Sequence, residues 1–324
     1  MTALNITGKG MAIWVTRDCE EDDHNAIIAE CKAANLKHLN FKVANATSPS
    51  GIDTTGEDHV KHLSILLREA IPDIKIMGWH YVFGDNPTGE AAIAIQRCNE
   101  LKLDAYCIDA EAEYKGKKLA ATQFMSTLRS AIDIPVGLYS YRYPSLHPEL
   151  PWKEFRARCD FDIPQVYWQN AHNPDVQLEA SWTEFSLMTP QLPYIPCGSA
   201  YKAGTWVPTV SDINKFLDKA VAMGLPAANF WEWGRTKMYA PELWPAIANY
   251  QWPSEEPMPL PKGLIVSAPN NAPIRNKPNA GKIIGLALYG WKFIPSEQVE
   301  VEGKLWYSLN PGWIPATSVQ PIDV

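Results

Sequence analysis

The sequence predicts an α/β fold: a closed parallel (β/α)8 barrel of TIM type, followed by a small all-β barrel. Three observations carry that expectation. Short apolar runs alternate with amphipathic, helix-like stretches up to about residue 250, giving eight strand–helix repeats. No Gly-x-Gly-x-x-Gly follows the first run, which weakens the case for an open dinucleotide-binding sheet. A Pro-rich stretch at 253–262 then gives way to short alternating runs broken by Gly, Asn and Pro.

The candidate strands, in order, are Met11–Val15, His38–Val43, Lys75–Phe83, Ala105–Glu111, Pro135–Tyr141, Asp162–Trp168, Tyr194–Ala200 and Ala227–Trp233. Each is short and mostly apolar, as strands buried on both faces must be. Between them, Asp23–Ala34, Glu57–Ala70, Thr88–Leu101, Leu119–Ile132 and Ser211–Met223 have helical periodicity. Thr88 before Gly89-Glu90, and Ser211-Asp212, read as N-terminal caps. The domain plan is a barrel over 1–252, a stiff linker over 253–262 and a β-rich tail over 263–324.

Composition narrows the class. Of 324 residues, 46% are hydrophobic and 20% charged, a globular balance large enough for a sizeable core. The net charge of -7 argues against binding nucleic acid through its phosphates. Thirteen Trp and thirteen Tyr offer flat rings for stacking on sugars, or serve equally well as core. Six scattered cysteines lack metal-type spacing and read as reduced, buried thiols. The N-terminus lacks a signal-peptide profile and no stretch suggests membrane insertion. The expectation is synthesis in the cytoplasm, with any action outside it requiring holin-type release or delivery on a virion.

The most informative segment is Leu103–Tyr114. Alternation along a strand puts Asp109, Glu111 and Glu113 on one face with Cys107 behind them. Tyr106, Ile108 and Ala110 then face a helix layer. Carboxylates crowded in a partly dry place push at least one pKa upward, which suits acid–base work at a glycosidic bond. Asp109 and Glu111 also fall at the carboxyl end of the fourth strand, where barrels of this kind place their sites. Glu113 is expected past the strand end, facing solvent.

The same segment resembles two glycosidase families. Asp104-Ala-Tyr-Cys107-Ile-Asp109-Ala-Glu111 is similar to the D-G-x-D-x-D-x-E of family-18 chitinases, with Cys107 in place of the middle Asp. It is similar too to the Asp-x-Glu of family-25 lysozymes. His38–Thr47 resembles the F-x-x-x-K-A-T strand of those lysozymes, Gly78-Trp-His-Tyr81 their G-x-Y-H-F, and Pro135–Tyr141 their fifth strand. Trp14, however, stands where they place an Asp; Asp18 is a candidate replacement. Gln165-Val-Tyr167 and Phe230-Trp231-Glu232-Trp233 resemble chitinase strands that contact the N-acetyl group and stack a sugar.

The resemblance implies Glu111 as general acid, Asp109 as its helper in orienting a substrate acetamido group, and Tyr167 as a hydrogen-bond partner of that group. Trp14, Lys42, His80, Tyr139, Gln165 and Trp231 are the expected substrate-binding residues. Several of these have a structural alternative. Lys42 can instead pair with the carboxylates, His80 reads equally as a hydrogen-bonded core histidine, and Trp231 with Trp233 can close the barrel. Glu232 would face outward. Trp168, Trp182 and Trp206 either shape a groove or cover apolar surface.

In the tail, Pro273-Ile-Arg-Asn-Lys-Pro278, Gly281-Lys-Ile-Ile-Gly285, Trp306-Tyr307 and Gly312-Trp313-Ile314 resemble bacterial SH3 domains in motif order. That resemblance implies binding to the bacterial cell wall. Together the two parts point to a peptidoglycan hydrolase of lysozyme or chitinase type, a phage-type lysin expected to be monomeric and to need no cofactor or metal. The alternative is an inactive glycan-binding or host-recognition protein on a degenerate barrel. Metal-dependent amidase chemistry is disfavoured, since no His-x-x-x-His occurs; His59 and His62 read as a solvated helix face.

Overall fold

The structure, a computed structural model, describes residues 4–14, 24–253, 261–279, 281–301, 304–309 and 312–322. The chain divides into two compact units, Met1–Pro253 and Ser254–Val324. Residues 254–260 of the expected linker lie outside the described residues, as does Asp18.

The first unit is a ring of parallel strands. They are β1 (Gly8–Ile13), β2 (His38–Asn45), β3 (Lys75–Val82), β4 (Ala105–Ala110), β5 (Val136–Tyr139), β6 in two segments (Phe161–Asp162 and Gln165–Val166), β7 (Cys197–Ser199) and β8 (Ala227–Trp231). Each pairs with the next, and β8 returns to β1 through Gly8↔Ala227 and Lys9↔Ala228. β6 is interrupted because Pro164 has no N–H for the ladder. The row nevertheless continues: the Cys197 amide donates to the Pro164 carbonyl at 2.9 Å, and bridges Asp162↔Tyr194 and Tyr141↔Gln165 tie both segments to their neighbours. These links close a (β/α)8 TIM-like barrel.

Helices cover the outside: α1 (His24–Ala33), α2 (His59–Ala70), α3 (Pro87–Leu101), α4 (Lys118–Arg129), α5 (Trp152–Arg156), α6 (Pro174–Ser186), α7 (Val210–Ala222), α8 (Trp233–Tyr239) and α9 (Trp244–Asn249). Two expected caps move outward. α3 is capped by Asn86, whose side chain accepts from the Gly89 amide with Pro87 at the first position, rather than by Thr88. α7 is capped by Thr209, in a reciprocal box with Asp212, rather than by Ser211. In both cases a residue just before the apolar periodicity takes the exposed amides.

Alternation along the strands sorts side chains into two cores. Ile13, Leu39, Phe41, Ile76, Tyr106, Ile108, Leu138 and Phe230 pack outward against the helices. Met77, Trp79, Ala105, Cys107, Tyr139, Phe161, Ile195 and Cys197 fill the lumen. Lumen packing is close: a Cβ on Gly137 would lie 2.4 Å from the Phe161 ring. Below the site, the barrel is therefore a solid core. Lys9 is buried and its ammonium donates to the Ile247 and Ala248 carbonyls at 2.7 Å each, capping the end of α9.

The second unit is built of antiparallel pairs: β9 (Leu264–Val266), β10 (Ala272–Arg275), β11 (Ile283–Ala287), β12 (Lys292–Phe293), β13 (Gln298–Val301), β14 (Lys304–Leu309), β15 (Gly312–Pro315) and β16 (Val319–Pro321). They form a three-stranded sheet, β12-β9-β16, and a five-stranded one, β11-β10-β15-β14-β13. Leu264, Val266, Ile274, Tyr307, Leu309 and Ile314 make its core.

Candidate active site

A cavity of about 470 Å³ opens at the carboxyl ends of the barrel strands, lined among others by Trp14, Lys42, Asp109, Glu111, Tyr167 and Trp231. Strand register explains its chemistry. Lys42 pairs with Trp79, Trp79 with Cys107, and Tyr81 with Asp109, and paired residues on adjacent strands share a face. Lys42, Trp79, Tyr81, Cys107 and Asp109 therefore all point inward. Asp109 is the last lumen-facing residue of β4, and Glu111 follows just past the strand end.

The two carboxyl groups are held by one amide. Gln165 Nε2 donates to Asp109 Oδ1 at 3.1 Å and to Glu111 Oε1 at 2.8 Å. Asp109 is 3% exposed. Burial first, and then the negative charge of Glu111, hold its carboxyl well above the ordinary aspartate range, with the Lys42 ammonium opposing them. A hydrogen bond with Glu111 favours the same protonated form. Glu111 is half-buried at the cavity wall, where its carboxyl can meet a bound group.

Where a third acid would follow the chitinase pattern, Cys107 is fully buried beneath Asp109. Burial raises its thiol well above its ordinary pKa, with Asn40 hydrogen-bonded to it. A neutral thiol there leaves Glu111 as the acid that most influences Asp109. Glu113 departs from expectation. The strand gives way to a 3-10 turn at Ala112–Tyr114, and Glu113 Oε2 accepts from the Tyr81 hydroxyl at 2.7 Å. It is half-buried at the rim, not a solvent-facing bystander.

Aromatic rings form the opposite wall. Trp14 meets Trp79 edge-on with centroids 5.9 Å apart, and Trp79 meets Trp231 at 5.0 Å. Lys42 Nζ lies 3.5 Å from the centre of the Trp14 ring and 4.8 Å from that of Trp79, so its cation is held against aromatic faces. Tyr167 is half-buried, and its hydroxyl lies 2.8 Å from that of Tyr139. Burial keeps both phenols protonated, available as donors.

Several expected residues sit elsewhere. His80 is excluded from the cavity: it pairs with Ile108, so it faces the helix layer, where it is fully buried. Its Nδ1 lies 2.8 Å from the Tyr106 hydroxyl and its Nε2 2.7 Å from the Ala46 carbonyl. Burial lowers its pKa to about 4, so it is neutral. Tyr139 lies under the cavity rather than on its wall, fully buried and bonded to Tyr167 and, at 3.2 Å, to Cys197 Sγ. Gln165 acts on the carboxyl pair as well as lining the wall.

Trp233 packs against Trp244 in the outer layer, and Trp168 against Phe216. Glu232 is buried as the cap of α8. His59 is not solvated: its side chain is 12% exposed and lies 3.0 Å from Asp53. Asp53, Glu57 and His59 form the only cluster of metal-ligand type among the described residues.

Trp79, Tyr81 and Asn45 line the cavity without having been expected there. The signal existed: on a strand whose Met77 faces inward, Trp79 and Tyr81 follow by alternation, and His80 cannot.

No protein-family model matches the sequence, and no curated protein matches it. Solved structures do share the barrel. A chitinase from Bacteroides thetaiotaomicron superposes with a TM-score of 0.58 at 10% identity, covering 75% of this chain and 96% of that one. The spore cortex-lytic enzyme SleL of Bacillus cereus gives 0.55 at 9%, covering 76% and 74%. The catalytic domain of a chitinase from Pyrococcus furiosus gives 0.54 at 11%, covering 77% and 98%. The likeness is one of fold. No helix among the described residues is long and apolar enough to cross a membrane.

Proposed function

We propose that the chain is a glycoside hydrolase acting on N-acetylated glycan of the bacterial cell wall. One observation carries this reading: a buried carboxyl that favours its protonated form, Asp109, is tied through Gln165 to the accessible Glu111 at the wall of a cavity. Building such a pair costs stability, and binding alone does not require it. Chitinases and a cortex-lytic enzyme on the same barrel support the substrate class. The aromatic wall of Trp14, Trp79 and Trp231 suits the apolar face of a sugar ring.

In this reading Glu111 protonates the glycosidic oxygen as the bond to the anomeric carbon breaks. The substrate's acetamido oxygen attacks that carbon, while Asp109 and the Tyr167 hydroxyl hold the acetamido group in place. Water then attacks the anomeric carbon and returns its proton to Glu111. The second unit is assigned as an SH3-like wall-binding domain on its motif order and antiparallel pairing. The whole is read as a lysin that reaches the wall by holin-type release or as part of a virion.

A binding-only reading has one observation in its favour, the Lys42 cation held against Trp14 beside the acids. The two readings separate in one assay: release of reducing ends from purified peptidoglycan and from chitin oligomers. Glu111→Gln is expected to lower the rate by about 10²–10⁴-fold. Equal release by both proteins would remove Glu111 from the role of acid, and no release by wild type would favour binding alone.

A further inference from the structure

A second cavity of about 210 Å³ adjoins the first, sharing Gln165 and Tyr167 with it and extending to Tyr141, Arg142 and His147. Its charge differs. The first cavity gathers Asp109 and Glu111 beside the Lys42 cation; the second, with no carboxylate among its described lining, is walled by a guanidinium and a stacked ring pair, Tyr141 on His147, with centroids 3.6 Å apart and planes 14° from parallel. Arg142 donates through Nη1 to the Tyr167 carbonyl and lies 5.0 Å from the Tyr143 ring. It forms no ion pair with any described carboxylate, and its Nε is buried without a hydrogen-bond partner. The Tyr167 carbonyl and the Tyr143 ring offset part of the cost of burying this guanidinium, and an anion would offset the rest. The nearby cation Lys115 lies 5.5 Å from the Tyr141 ring and is already paired with Glu149.

We infer that this second cavity is a subsite for a saccharide unit carrying a carboxylate, with Arg142 binding the carboxylate and the Tyr141–His147 stack supporting the unit. The inference rests on the first cavity holding a glycan, and it adds a sign to the substrate. The neutral unit to be cleaved lies by the acids, and its acidic neighbour is drawn to the opposite end. None of the described residues lining the second cavity is a carboxylate, so nothing there opposes the acidic unit.

The test is equilibrium binding by calorimetry on the full chain, so that its outcome does not depend on hydrolysis. The ligands are a peptide-free oligomer of alternating N-acetylglucosamine and N-acetylmuramic acid, the same oligomer with its carboxyls converted to amides, and a chitin oligomer of equal length. A peptide-bearing glycan, before and after amidation, forms a further arm. Wild type is expected to bind a carboxylate form roughly tenfold to a hundredfold more tightly than its amide. Arg142→Gln is expected to bring the two forms level, with Arg142→Lys recovering part of the difference. A preference in the peptide-free pair supports the saccharide carboxylate; one confined to the peptide-bearing pair overturns it, placing the anion on the peptide instead. Equal affinity for acid and amide in both pairs, or a preference that survives Arg142→Gln, overturns the subsite. Failure of every glycan to bind overturns the glycan reading of the first cavity instead.

Discussion

Gln165→Met isolates the contact that organises the carboxyl pair. Methionine keeps the length and nearly the volume of glutamine, so the lumen stays filled while both donors disappear. The amide is lost at 3.1 Å from Asp109 and 2.8 Å from Glu111. Removing one partner of a buried hydrogen bond costs about 1–3 kcal/mol, and the shorter contact, to the group assigned as acid, decides activity. If that one bond orients Glu111 for protonation, kcat falls by roughly tenfold to a hundredfold, with KM changing less. The check is steady-state release of reducing ends from a soluble N-acetylated oligomer, with thermal unfolding of both proteins in parallel. A kcat within twofold of wild type, in a variant with an unchanged unfolding midpoint, would refute the claim that Gln165 positions the acid. A fall matched by KM alone would make it a binding residue.

Two further substitutions test burial and charge. Asp109→Asn is expected to abolish turnover and yet raise stability at neutral pH by about 1 kcal/mol, seen as a midpoint some 2–4 °C higher. The sign follows from its raised pKa: the folded state holds the proton that the unfolded chain releases, so wild type loses stability as pH rises above the ordinary aspartate value of about 3.9. The advantage of the variant should vanish below that pH; a gap independent of pH would contradict it. His80→Phe is expected to cost roughly 1–3 kcal/mol at neutral pH by orphaning the Tyr106 hydroxyl and the Ala46 carbonyl, with KM unchanged. Because burial lowers His80 to about 4, the stability its neutral ring provides is present above about 6.5 and drains away as pH falls toward 4. The midpoints of variant and wild type should therefore converge in acid, and a higher KM in the variant would return His80 to the substrate site.

Local pattern carried much of this molecule. The eight apolar runs mark the barrel strands to within a few residues, because a strand buried on both faces leaves a dense apolar signature. Asp109 and Glu111 were legible for a related reason, as carboxylates written into such a run. The helix caps slipped by two residues because Asn86 and Thr209 lie outside the periodic stretch that announces each helix. His80 was misplaced by reading a motif across a strand instead of its alternation. Glu113 was misread because nothing local announces that β4 ends at Ala110 and turns.

By itself, the sequence determined which residues could be strands, where the fold changes texture, and which acids lie one strand repeat apart. Those are properties of neighbours along the chain, set by alternation, propensity and turn chemistry. Only tertiary structure decided that Gln165, on the sixth strand, bridges two acids from the fourth, or that Lys42 rests against Trp14. It alone placed Arg142 without a carboxylate beside the shared wall of two cavities. Such relations depend on inter-strand register and barrel closure, which bring Gln165 to acids more than fifty positions before it. Proton affinity follows the same division: the type of Asp109 is written in the chain, but the desolvation that keeps its proton exists only once the barrel has closed over it.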